Sequence, residues 1–199
     1  MPVVSTKYFV ELSRIAALEA EAAVHLRGLL AQPDANVEAS AARISELEVT
    51  ARAGLEELLD GMERSAQGRN GTRELARGMA DLAAAIGAAA APSLLLERGE
   101  GVPEAIRIAE ILAEQVREIG VSLESWLDFD HVVQACRKIK RLESHADRFF
   151  ASAVLAYFRG GADSIQALEL KDVLARLEHA TDVAKDVAAM IERIAIRSV

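Results

Sequence analysis

Glu143 and Asp147 stand four residues apart in KIKRLESHADRFF, residues 138 to 150. Glu178, Asp182 and Asp186 repeat that interval in LARLEHATDVAKDV, residues 174 to 187. On an α-helix residues i and i+4 share a face, so each segment presents a ridge of carboxylates. Like charges at that spacing repel by about 0.2–0.5 kcal/mol. A neighbouring cation, a bound metal ion or water has to relieve the repulsion. Convergent carboxylates without an imidazole or thiolate set are hard oxygen donors, suited to Mg²⁺, Ca²⁺, Mn²⁺ or iron more than to structural zinc. His145 and His179 follow their glutamates by two and one positions, which rotates both away from the acidic line, towards the surface or a supporting position.

Spacing alone favours a plainer reading. Glu56/Asp60 and Glu124/Asp128 show the same interval in a chain that is 27% charged, and Arg141, Arg148, Arg176 and Lys185 are placed to screen the acids as a solvated face. Position adds weight to the sharper one. Glu143 and Asp147 border the apolar ridge Ile139, Leu142, Ala146 and Phe149, while Glu178 and Asp182 border Leu174, Leu177, Ala184 and Ile191. If those ridges pack together, four carboxylates converge at one edge of a bundle. Glu56/Asp60 flank an apolar ridge in the same way.

The elements that carry these residues read as helices. The 199 residues are 51% apolar with 4% aromatic content, enough for a sizeable core, and the abundant Ala, Leu, Glu and Arg are strong helix formers. Strand signals are essentially absent. Breaker-rich segments at 31–36, 66–71, 97–103, 125–131 and 158–164 divide the chain into six helices of about 25 to 35 residues, roughly 40 to 50 Å each. Pro103 suits a first helical position, Asp163 or Ser164 a cap for the last helix, and Pro92 a kink in the third. The uncharged run Leu82 to Leu96 is 15 residues long, short of the ~20 that cross a bilayer.

The chain also repeats itself. ISELEVTARAGL (44–55) aligns with IKRLESHADRFF (139–150) at an offset of 95, pairing Leu47 with Leu142, Glu48 with Glu143 and Ala51 with Ala146. The flanking breaks recur at nearly that offset. The expectation is an all-α fold of two pseudo-repeated antiparallel three-helix bundles, residues 1–98 and 99–199, forming one compact domain. One difference stands out: Arg52 occupies the first copy's counterpart of Asp147, so Glu48 gains a helical salt bridge instead.

A net charge of −8 argues against nucleic-acid binding and for cations or basic partner surfaces. The lone cysteine, Cys136, reads as core filler, and MPVVSTKYFVELSR lacks a signal peptide's apolar core, so the expected compartment is the reducing cytoplasm.

IKRLESHADRFF and LARLEHATDVAKDVAAMIERIAI resemble the motif helices of PhoU-like phosphate transport regulators, in the branch of short proteins associated with Pit-type phosphate transporters. The likeness spans nearly the whole chain. It implies acidic E/D-x-x-x-D motifs that bind multinuclear metal centres, with Glu143, Asp147, Glu178 and Asp182 at the motif positions and Asp186 extending the second. It further implies a divalent or trivalent metal ion (iron, Mn, Mg or Zn), action on the cytoplasmic face of a phosphate transporter, and no catalysed reaction. The first half departs from the pattern at Arg52, and its third-helix window keeps only Asp81, with Ala80 and Ala84 at the motif positions. A guanidinium repels a cation, so any metal is expected in the second bundle alone. Continuous apolar stripes suggest a homo-oligomer. The alternatives are a metal-free helical scaffold or oligomerising adaptor and, remotely, a di-iron oxidase, whose two Glu-x-x-His pairs are missing.

Overall fold

The computed structural model describes residues 6–31, 37–64, 71–91, 103–159 and 164–198. They form six α-helices: α1 (Thr6–Ala31), α2 (Val37–Arg64), α3 (Thr72–Ala89), α4 (Pro103–Glu124), α5 (Phe129–Arg159) and α6 (Ser164–Ser198). No strand occurs among the described residues.

Local chemistry sets several of the ends. Pro103 is the first residue of α4, where its missing N–H costs nothing. Asp128 starts α5: its carboxylate accepts from the His131 N–H at 3.0 Å, satisfying one of the orphan donors of the first turn. Gly71 precedes α3 at φ 85°, a left-handed conformation that glycine adopts without strain, and its carbonyl accepts from Leu75 N at 2.9 Å. The third helix is shorter than expected, 18 residues, and stops before Pro92. Its end tightens into i→i+3 bonds, Ala90 N to Gly87 O and Ala91 N to Ala88 O, because a residue preceding proline is pushed out of the helical region. Arg176 of α6 donates to Ala88 O at 3.2 Å, giving that exposed end a cation. Pro92 and Asp163 lie outside the described residues.

Helices α1, α2 and α3 pack on one another, as do α4, α5 and α6, and the halves join through α1 against α4 and α3 against α6. Phe9 stacks on Trp126, ring centroids 3.6 Å apart, while Ala16 faces Gly120, so α1 and α4 run antiparallel. Buried side chains form one continuous core through both halves, with Leu12, Leu26, Ile44 and Met79 in the first and Ile108, Leu112, Ile139 and Leu177 in the second. Cys136 belongs to it: the thiol donates to Ala188 O at 3.3 Å and burial pushes it up to about 12, so it is an inert filler.

Glu19 and Gln115 interrupt the apolar ridges of the central helices at their middles, and Ser122 lies further along the second, bonded to Ile119 O. On α1 the buried series Leu12, Ala16, Ala23 and Leu26 is broken by Glu19. On α4 the series Ile108, Leu112 and Ile119 is broken by Gln115. The Gln115 amide donates to Ile139 O on α5 (3.3 Å) and Thr181 O on α6 (3.2 Å), tying its three helices together. Neither oxygen of Glu19 has a partner, and burial raises its carboxyl well above the usual range.

Candidate metal centre

The apolar ridges decide where the acids go. Ile139 and Ala146 of α5 and Leu177 and Ala184 of α6 are buried where the two helices pack. The residues beside them are therefore drawn to the seam. One carboxylate oxygen each from Glu143, Asp147 and Asp182 lies within 4.8 Å of the others. Glu143 is 7% exposed, Asp182 is half-buried, and Asp147 is exposed. Glu178 lies one turn before Asp182 and half-buried. It falls outside this group of three, yet is close enough for Asp182 and Asp147 to act on it. Asp186 is exposed and outside the group. His145 and His179 are exposed.

A cation already stands among the acids. Lys185 of α6 places Nζ 2.5 Å from Glu143 Oε1 and 2.7 Å from Asp182 Oδ1, while Ser144 Oγ donates to Glu143 Oε2 at 3.2 Å. Of the four bases placed to screen the ridge, Lys185 does so across the seam. Arg148 donates to Ser144 O instead, and Arg176 reaches Ala88 on α3. The hydrogen bonds it donates to Asp182 and Glu143 push the Lys185 ammonium upward.

One lysine does not balance the cluster. Burial, then Glu143 and Asp182, raise the Asp147 carboxyl; burial, then Asp182 and Asp147, raise Glu178, against weaker relief from His179 and Lys185. Two acids thus remain under repulsion after the lysine has taken its two partners. Such a surplus of close, hard oxygen donors can hold a further cation or exchange one for the ammonium.

In the first half Glu48 pairs with Arg52 on its own helix at 3.6 Å. Ala80 and Ala84 contribute no donor, and Asp81 is exposed beside Arg77 and Glu74. Among the described residues the only group of three metal-type donors is that of Glu143. Sequence reasoning misses Glu19 and Gln115. Their one signal, a polar residue at an apolar register position, carries no chemistry until the neighbours are known.

No family model matches the chain, and no curated protein matches it. No helix among the described residues is long and apolar enough to cross a membrane.

Proposed function

We propose that the protein is a PhoU-like cytoplasmic regulatory or accessory protein of inorganic phosphate transport. It is a non-enzymatic helical module that responds to a metal ion and acts, as a homo-oligomer, on the cytoplasmic face of a Pit-type transporter. The observation that carries the metal response is the meeting of Glu143, Asp147 and Asp182 oxygens within 4.8 Å around a lysine ammonium. The donor set fits a hard cation, since all three ligands are carboxylate oxygens and Lys185 already stands in as the positive charge. Glu143, Asp147 and Asp182 would hold the ion, with Glu178 adjoining, once the ammonium swings towards solvent. A bound metal supplies positive charge at the α5–α6 seam. The duplicated two-bundle organisation, 1–98 and 99–199, is supported by the way α1–α2–α3 and α4–α5–α6 each close on themselves. The transport role rests on the resemblance of the motif helices.

The test is the thermal shift with Mn²⁺, Fe²⁺ and Mg²⁺, because only a ligand that prefers the folded state raises Tm. Wild type should gain several degrees with at least one metal, and Glu143→Gln with Asp182→Asn should gain none. Equal shifts in both would remove the site. Phosphate uptake measured with and without the protein tests the transport role separately, and unchanged uptake sinks it.

A specific observation favours a second reading. The Lys185 bridge satisfies Glu143 and Asp182 without any metal, as in a structural scaffold or adaptor. That reading expects no metal-dependent Tm in wild type or in Lys185→Ala.

A further inference from the structure

The outward faces of α2 and α5, counterparts in the repeat, carry opposite charge. On α5 Arg137, Arg141, Ser144, Arg148, Ala151 and Leu155 follow one another at steps of four, three, four, three and four residues, and all six are exposed. On α2 Ala42, Glu46, Val49, Ala53, Glu56 and Asp60 repeat the same steps and are likewise exposed. Steps averaging ~3.5 residues hold a stripe on one side of a helix along its length, the spacing by which two helices pack on each other. The first stripe contains bases and no acid, the second acids and no base.

These charges are unanswered within the chain. Bases elsewhere meet acids, as Arg43 meets Glu21, Lys138 meets Glu114 and Lys140 meets Glu192. Among the described residues no acid pairs with Arg137 or Arg141, and no base pairs with Glu56 or Asp60. Arg148 donates Nε to Ser144 O and leaves the rest of its guanidinium in water. Each stripe also exposes one large aliphatic side chain, Val49 at 65% and Leu155 at 50%. Because α2 packs on α1 and α3, and α5 on α4 and α6, the two stripes lie on different halves and do not meet within one chain.

We propose that α5 of one copy docks on α2 of a second copy of this chain. Laid antiparallel, the stripes match step for step: Asp60 opposite Arg137, Glu56 opposite Arg141, Ala53 opposite Ser144, Val49 opposite Arg148, Glu46 opposite Ala151 and Ala42 opposite Leu155. Two arginines then meet two carboxylates, the Arg148 stem lies on Val49 with its head one turn from Glu46, and Leu155 covers Ala42. The parallel sense can pair the same four charges, but it carries Arg148 and Leu155 past Arg64, the end of α2. An anionic lipid surface would answer the α5 stripe alone and leave the acids of α2 without a partner. The contact joins different faces of two copies, so each copy keeps a free stripe and growth leads to a ring or an open chain.

The interface specifies the homo-oligomer of the proposed function and rests on that self-association alone, independently of the metal and of transport. Sedimentation velocity of the full chain over a concentration series, at about 50 mM and about 500 mM NaCl, tests it. Wild type should self-associate at the lower salt and move towards monomer at the higher, since exposed ion pairs are screened. Arg137→Glu with Arg141→Glu, and separately Glu56→Arg with Asp60→Arg, should each weaken self-association about tenfold or more. An equimolar mixture of the two variants should restore it, because each offers the charge that the other lacks. An oligomer of the same size and affinity in wild type and both variants overturns this interface and leaves the homo-oligomer standing. Variants that dissociate singly and stay apart when mixed overturn the pairing of the stripes. A wild type that is monomeric at the lower salt removes both readings, and its binding to phosphatidylserine vesicles through Arg137 and Arg141 would assign the α5 stripe to a membrane surface instead.

Discussion

Glu48 on α2 and Glu143 on α5 match in the repeat, yet they are neutralised differently. Glu143 is buried at a seam and receives a lysine from the neighbouring helix. Glu48 is more exposed, leans on Arg52 of its own helix, and faces a glycine on the next one. The central helices differ in the same sense. Gln115 donates to the backbone of both its neighbours, while Glu19, at the matching register on α1, has no partner. The second half supplies its buried acid with an internal cation and leaves one neutral oxygen, Gln115 Oε1, without a partner. The first half leaves a buried carboxyl, Glu19, with no partner and gives Glu48 only a long contact on its own helix. One backbone plan thus yields a half whose helices are tied by side-chain donors and a half whose central acid has none, because a few side chains supply or withhold N–H groups.

Exchange of the central polar residue should have the largest effect. Gln115→Glu removes both donors and turns a carboxylate towards two carbonyls, so we expect a loss of about 2–4 kcal/mol in chemical denaturation at pH 7. A loss below ~0.5 kcal/mol would mean that Gln115 is not the tie it looks to be.

Lys185→Ala should cost about 1–3 kcal/mol. It leaves Glu143 buried and uncompensated, and the value is reduced from that of a fully buried pair because the lysine is 33% exposed. The folded-state ammonium is raised, so its contribution is complete at neutral pH and is lost only as alkali titrates it. The difference between wild type and variant should therefore be full at pH 7 and begin to shrink only above the ordinary lysine value of ~10.4, with part of it still present at pH 11.

Glu19→Gln should act in the opposite direction, stabilising by about 1–2 kcal/mol at pH 7. The folded carboxyl is raised, so the folded state holds its proton more tightly than the unfolded chain, whose glutamate titrates near ~4.3. Stability is then complete below that value and lost as pH rises towards the folded one. The advantage of the variant should vanish near pH 4, and a pH-independent difference would contradict the assignment.

Asp147→Asn should change least, a gain of about 0.2–0.5 kcal/mol above pH 5 from relieved repulsion at an exposed position. Its diagnostic value lies in the metal titration, where the same variant should lose most of the Tm response.

Much of the helical order was legible. The i, i+3, i+4 ridges follow from periodicity, Pro103 marks the start of α4, and the breaks at 125–131 and 158–164 fall where α5 and α6 begin. The length of α3 was not, since its alanine-rich run reads as helix up to Leu96 and only the constraint before Pro92 shortens it. Arg52 as the partner of Glu48 could be read from an i, i+4 interval on one helix. Lys185 was visible only as one of four possible screens, because choosing among them requires knowing which helix faces Glu143.

By itself the sequence determined six amphipathic segments, their apolar faces and the placing of acids one turn apart, because those properties depend on intervals of three and four residues along one helix. Tertiary packing alone decided that Lys185 reaches across to Glu143, that Gln115 finds two carbonyls and that Glu19 finds none. Those outcomes depend on ångström-scale distances between helices, set by side-chain volumes at the seams, and no interval within a single helix encodes them.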